Sequence, residues 1–369
     1  MSRKEAITTN YLPKIGLLGV HTPYNRIKNI QSYYQEFKEL VKSNNIIPTD
    51  EIFFKLRDVN PVYFLTKGKL DELKDFCQKN KIERLIISEP LTSQQERNLG
   101  DYLDCEVADR TQLILEIFEK HAHSAEGKTQ VEIAMLTYKK TRLAGKGIHL
   151  SQQSGVVGKI GGSGETIKER ETRDINRKIH TLKKQLIKIQ KTREVQRKNR
   201  FRSNVPHICL IGYTNAGKST LLNLLTKSNV LAQDHLFATL DTTTRELYIN
   251  GKKKGIISDS VGFIQQLPHN LIEAFKSTLD ELHYADLLLH VVDISDLNWE
   301  DHIQIVHEIL EELGIHKQIL YIFNKTDKIE VTELTSQLQV YQPHVLTCSK
   351  SKDGIKKLIN FLSSWKRSN

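Results

Sequence analysis

An eight-residue loop, Gly212-Tyr213-Thr214-Asn215-Ala216-Gly217-Lys218-Ser219, constrains this chain more than any other stretch. It follows the apolar run Ile208-Cys209-Leu210-Ile211 and opens onto Leu221-Leu222-Asn223-Leu224-Leu225. Strand, glycine-bounded loop and helix, in that order, make the context a phosphate-binding P-loop requires. The glycines let backbone amides curl around a polyphosphate, and the helix N-terminus adds partial positive charge. In such a loop Lys218 reaches the β- and γ-phosphates, and the Ser219 hydroxyl holds Mg²⁺.

Three further motifs follow in order. Phe237-Ala238-Thr239-Leu240-Asp241 lies in a polar stretch suited to closing over a γ-phosphate. Thr239 is placed to ligate Mg²⁺ and sense that phosphate, although Thr242, Thr243 and Thr244 stand close by. Asp259-Ser260-Val261-Gly262 ends the strand Gly255-Ile256-Ile257-Ser258. There Asp259 should hold Mg²⁺, directly or through water, and the Gly262 amide should meet the γ-phosphate. Asn324-Lys325-Thr326-Asp327 follows an apolar strand, Gln318 to Phe323. The Asp327 carboxylate can accept from the guanine N1–H and exocyclic amine, a donor pair adenine lacks, and so selects GTP over ATP. Cys348-Ser349-Lys350 can meet the guanine carbonyl through backbone amides. The catalytic candidates are therefore Lys218, Thr239 and Gly262, and the metal ligands Ser219 and Thr239. Phe263 stands where many GTPases carry a water-orienting glutamine. Phenylalanine can shield the site but cannot orient water, so slow intrinsic hydrolysis is expected.

At 369 residues the chain has room for two or three domains. Residues 204–369 form the expected P-loop domain, a parallel sheet with helices on both faces and nucleotide at the strands' carboxyl ends. Residues 1–108 read as a small parallel α/β domain. Strands are expected at Lys14 to Val20, Glu51 to Leu56 and Arg84 to Ser88. Helices are expected around Ile30 to Val41, Lys67 to Cys77 and Leu91 to Leu99, the last capped by Thr92 or Ser93. Lys67-Gly68-Lys69 reads as a solvated loop more readily than as a phosphate contact. Cys77, Cys105, Cys209 and Cys348 show no metal or disulfide spacing. The polar N-terminus lacks a signal-peptide core, and no apolar run approaches the ~18 residues of a membrane span. A cytoplasmic monomer is expected, with at most peripheral contact with membranes.

Residues 109–203 read as a helical hairpin. Leu113, Ile117, Val131, Met135 and Tyr138 recur at helical steps in the first arm. A glycine-rich tip occupies residues 145–164. In the second arm Ile175, Ile179, Leu182, Leu186 and Ile189 step by four, three, four and three, which is a coiled-coil seam. The formal net charge of the chain is +10, and Glu165 to Arg202 alone carries an excess of nine positive charges. A charge run is usually a solvated face. A long basic arm ending in a Gly-rich loop fits RNA backbone contact better, through counterion release and shape.

The segments GYTNAGKSTLLN, LFATLDTTTRE, DSVGFIQQLPHNLIEAF, VADRTQLILEIF and EGKTQVEIAMLTY resemble the HflX family of ribosome-associated GTPases over nearly the whole chain. The resemblance implies a GTPase that binds the large ribosomal subunit and dissociates or rescues stalled ribosomes, especially under stress, with hydrolysis governing release. It implies GTP/GDP and Mg²⁺ as cofactors and assigns the four motifs and Cys348-Ser349-Lys350 to the nucleotide. Departures are Ser260 where threonine is usual, no proline before Arg142-Leu143, and a tip without the family's arginine-glycine-proline-glycine. An extra C-terminal domain found in some members is not expected. The competing expectation is a GTP-gated assembly or dormancy factor that occupies ribosomes or their RNA without splitting them. A GTPase of tRNA modification is disfavoured, because no cysteine-terminated tail or folate-site signature is visible.

Overall fold

A computed structural model describes residues 13–24, 29–145, 167–202, 205–226, 236–237, 243–268, 279, 281–330 and 334–367. It divides into two compact units, Met1–Ile114 with Thr141–Lys168, and Leu115–Lys140 with Glu169–Asn369.

In the first unit, β1 (Ile15–His21), β2 (Asp50–Lys55), β3 (Arg84–Ile87) and β4 (Glu106–Ala108) form a parallel sheet in the order β2-β1-β3-β4. Helices α1 (Ile30–Ser43), α2 (Lys67–Asn80) and α3 (Ser93–Leu103) provide the crossovers. Each helix starts for a local reason. The Asn29 side chain accepts from the amides of Gln31 and Ser32, and Thr92 with Gln95 closes a capping box. Tyr33, Phe37, Leu40 and Val41 line the buried face of α1. Leu73 and Leu99 are fully enclosed; truncating either to Ala should cost about 2–5 kcal/mol. Lys67-Gly68-Lys69 is the first turn of α2 rather than a loop, and Lys69 pairs with Glu72 at 2.7 Å. Thr66, with extended backbone, is the N-cap residue of this helix and makes no side-chain capping bond.

The Val107-Ala108-Asp109-Arg110 stretch is organised around buried charge. Asp109 accepts from the Leu91 and Gln112 amides at 2.9 and 2.8 Å and pairs with Arg142 at 2.7 Å. Arg142 also donates to the Leu91 carbonyl at 2.8 Å. Arg110, wholly enclosed, meets Glu36 at 2.5 Å and lies over the Tyr33 ring.

The first arm is not one helix. Helix α4 (Arg110–His121) ends and α5 (Ala125–Gly145) begins anew. Ser124 makes the break: its hydroxyl accepts from the Gly127 amide at 2.9 Å and its carbonyl from the Lys128 amide at 3.0 Å. That is an N-cap. Helix α6 (Ile167–Arg202) runs antiparallel to α5, as the ion pairs Lys139–Glu171 (3.2 Å) and Glu132–Lys178 (2.6 Å) require. Val131, Ala134, Ile175 and Leu182 are buried in this second unit. The tip, from residue 146 to residue 166, lies outside the described residues.

The second sheet contains β5 (His207–Gly212), β6 (Thr244–Ile249), β7 (Lys252–Ser258), β8 (Leu287–Asp293), β9 (Ile319–Asn324) and β10 (His344–Leu346), in the order β10-β9-β8-β5-β7-β6. All neighbours are parallel except β6 and β7. Asn250 and Gly251, both at positive φ, form the two-residue turn that folds β6 back onto β7. Alternation along β8 sorts its side chains. Leu287, Leu289 and Val291 share a core with α7 (Lys218–Thr226) and α9 (Lys356–Ser364), whereas Leu288 packs with Val306, Ile309 and Leu310 of α8 (Trp299–Glu312). The P-loop thus leaves the carboxyl end of a strand buried on both faces. No described helix is long and apolar enough to cross a membrane.

Candidate guanine-nucleotide site

The loop after β5 needs its glycines. Gly212 sits at φ 141°, where a β-carbon would lie 2.2 Å from the Val291 carbonyl oxygen. Gly217, at φ 99°, passes equally close to the Asn324 side chain. Lys218 is buried, and its ammonium donates to the carbonyls of Gly212 (3.1 Å) and Tyr213 (2.7 Å). Burial pulls its pKa down to about 8, against the opposing charge of Asp259. A phosphate chain in the loop is the natural counter-charge for such an ammonium. The Ser219 hydroxyl donates to Asp259 Oδ2 at 2.7 Å.

The third motif is zipped to this loop. Thr214 N donates to the Phe263 carbonyl at 2.9 Å, and Phe263 N to the Gly212 carbonyl at 3.2 Å. Ser260 keeps the hydroxyl a threonine would supply, donating to the Leu210 carbonyl at 2.6 Å. A β-carbon on Gly262 would stand 2.7 Å from Thr214 Cγ2 and 2.9 Å from Lys218 Nζ, so the peptide itself faces the loop. Phe263 does not shield the site as expected. Its ring is buried with Ile211, Leu279 and Leu282, because pairing with the loop turns this side chain towards the core.

The end of the candidate site expected to read the base is held by Asn324. Its amide donates to the Ala216 carbonyl at 2.9 Å, while its oxygen accepts from Ser349 N (3.1 Å), Ser349 Oγ (2.8 Å) and Thr347 Oγ1 (3.3 Å). One buried side chain therefore ties the phosphate loop to the last motif. Asp327 meets Lys350 Nζ at 2.6 Å and accepts from the Cys348 thiol at 3.2 Å. These two partners, Lys350 first, hold its carboxyl at about 2, ionised as guanine recognition demands. Lys325, at φ 62°, pairs with Asp293 at 2.7 Å. Asp293 was not foreseen. Its only signal in the sequence is an acid directly closing the apolar run of β8.

Phe237 is buried at φ 60°, its ring edge-on to Phe118 at 4.7 Å. Ala238, Thr239, Leu240 and Asp241 lie outside the described residues. Ser219 and Asp259 present adjacent hard oxygen donors, the type Mg²⁺ accepts. Lys218, Ser219, Asp259 and Gly262 are thus brought together at one end of the sheet. Asn324, Ser349 and Asp327 stand at its neighbouring edge.

Strand order, loop and motif positions together define a P-loop guanine-nucleotide-binding protein. Three family models match in succession: a GTP-binding GTPase N-terminal region over residues 31–119, a GTP-binding GTPase middle region over 121–200, and a 50S ribosome-binding GTPase over 207–325. GTPase HflX of Caldanaerobacter subterraneus is 40% identical over 325 residues, covering 88% of this chain and 74% of its own. GTPase HflX of Escherichia coli K12 is 39% identical over 312 residues, covering 84% and 73%. Among solved structures, SsGBP in complex with GDP matches with a TM-score of 0.53 and 28% identity, covering 95% of this chain and 99% of that one. The chain belongs to the HflX family of GTPases.

Proposed function

We propose that this GTPase uses the site above to gate a basic arm that engages the large ribosomal subunit, dissociating or rescuing stalled ribosomes, chiefly under stress. The observation that carries the proposal is the antiparallel hairpin. Arg177, Lys183, Lys184, Lys188 and Lys191 are exposed along α6, a stripe suited to an RNA backbone. The family model over residues 207–325, described as a 50S ribosome-binding GTPase, supports the choice of subunit.

Within the site, Lys218 balances the β- and γ-phosphates and the Gly262 amide donates to the γ-phosphate. Asp327 accepts from guanine, and the Cys348-Ser349-Lys350 backbone meets its carbonyl. Ser219 and Thr239, with Asp259 behind Ser219, would hold Mg²⁺, which neutralises charge developing on the phosphates. With Phe263 in the core, no side chain at that position orients water, so intrinsic turnover is slow and the ribosome stimulates it.

Co-sedimentation with separated subunits, comparing a non-hydrolysable GTP analogue with GDP, tests the reading. Analogue-dependent binding to the large subunit, with hydrolysis raised above the free rate, is expected. Binding in neither state would overturn it. Sucrose gradients of intact ribosomes then separate splitting from occupancy, since only splitting converts them to subunits.

A further inference from the structure

Beyond the Ser219–Asp259 bond, three more bonds tie the residues that follow Gly262 to the phosphate loop. Two are the backbone bonds between Thr214 and Phe263 and between Phe263 and Gly212. The third uses a side chain: the Gln265 amide donates to the Tyr213 hydroxyl at 2.8 Å. The Tyr213 ring is itself held. It stacks on His302 of α8 with centroids 3.8 Å apart and planes within 8°. Tyr213, Gln265 and His302 are all buried.

We propose that the Tyr213 side chain, stacked on His302 and holding the Gln265 amide, is a positioning residue for GTP hydrolysis. The inference rests on the assignment of this loop to the nucleotide phosphates. Gly262 has no side chain and Phe263 points into the core, so the peptide that faces Lys218 is held by the Ser219–Asp259 bond on one side and, on the other, by the backbone ties of Phe263 and this hydroxyl. A donor aimed in advance at developing charge stabilises a transition state more than one that must be ordered during the step. Tyr213 supplies that order from the far end of the segment, and α8 supplies the rigidity. Burial holds the His302 pKa below its usual value, against the opposing charges of Asp296, Asp293 and Asp301. The stack is therefore between two neutral rings at neutral pH.

Tyr213→Phe keeps the ring and removes only the hydroxyl, and His302→Ala removes the stacking partner. The full-length protein is assayed by single-turnover GTP hydrolysis, with affinities for a fluorescent GDP and for a non-hydrolysable GTP analogue measured beside it. One lost hydrogen bond predicts a rate constant about three- to tenfold lower, with affinities within about twofold. His302→Ala is expected to act in the same direction, His302→Phe to recover most of the rate, and the double variant to lose little more than either single one. An unchanged rate constant in Tyr213→Phe, with or without a lower unfolding midpoint, overturns the proposal. So does an affinity loss as large as the rate loss, which would make the tyrosine a binding residue. Lys218→Ala separates failure of the site assignment: wild-type nucleotide affinity in that variant would sink the assignment itself.

Discussion

Replacing Lys218 by methionine should change how stability depends on pH, in a direction fixed by burial. The ammonium titrates at about 8 in the folded protein against 10.5 when free. At about 1.36 kcal/mol per pKa unit, the nucleotide-free fold is penalised by about 3 kcal/mol whenever that lysine is charged. The unfolded chain holds more protons between these values, so stability rises with pH across the window. Below about 8 the penalty is complete, and above 10.5 it vanishes. Between pH 7 and pH 9.5 the wild-type protein should gain about 2 kcal/mol relative to Lys218→Met. Urea unfolding followed by the fluorescence of Trp299 and Trp365, both in the nucleotide-binding unit, measures this difference. Taking the difference between the proteins removes titrations common to both, including the exposed Lys253–Glu246 and Lys356–Asp353 pairs. A difference constant within about 0.5 kcal/mol over that range would refute the reasoning, because the side chain would not then be desolvated.

Asn324→Ala should weaken binding of both GDP and GTP and lower stability by about 3 kcal/mol, since the buried hydroxyl of Thr347 and the half-buried donors of Ser349 lose their acceptor; calorimetric titration and denaturation check the two effects. Asp327→Asn should reduce GTP affinity about 100-fold through two charge-assisted bonds and improve binding of xanthosine triphosphate, whose C2 carbonyl accepts from an amide; competition against labelled GDP measures both. Arg142→Met should cost about 3 kcal/mol, because Asp109 is almost wholly buried and loses its cation, and Asp109→Asn in the same chain should recover part of it; denaturant midpoints report the change.

The local geometry of the candidate nucleotide site was legible wherever chemistry restricts the residue. Only glycine tolerates the φ of Gly212 beside the Val291 carbonyl, and the role proposed for Asp327 requires a carboxylate, since guanine offers a donor pair. The helices of the first unit were legible through period and caps, as Thr92 shows. Two signals stood in the sequence and were missed. Asn250-Gly251 specifies a tight hairpin, hence the antiparallel β6, and Ser124 caps a new helix inside what had looked like one arm. β4 was missed because three residues are too few for any periodicity to register. Asp293, the burial of Phe263 and the stack of Tyr213 on His302 belong to another class. Each depends on which strands and helices become neighbours, and local pattern carries no record of that.

The 36 residues of α6 form a continuous helix about 54 Å long. It ends at Arg202, a few residues before the strand that delivers the P-loop. Mechanically an unbroken helix of this length is a stiff rod. A rotation of about 5° at one end carries the far end about 5 Å, nearly the pitch of one helical turn. Within α6 itself the described backbone carries no break, so such a rotation would reach its far end undiminished, on the scale of a nucleotide.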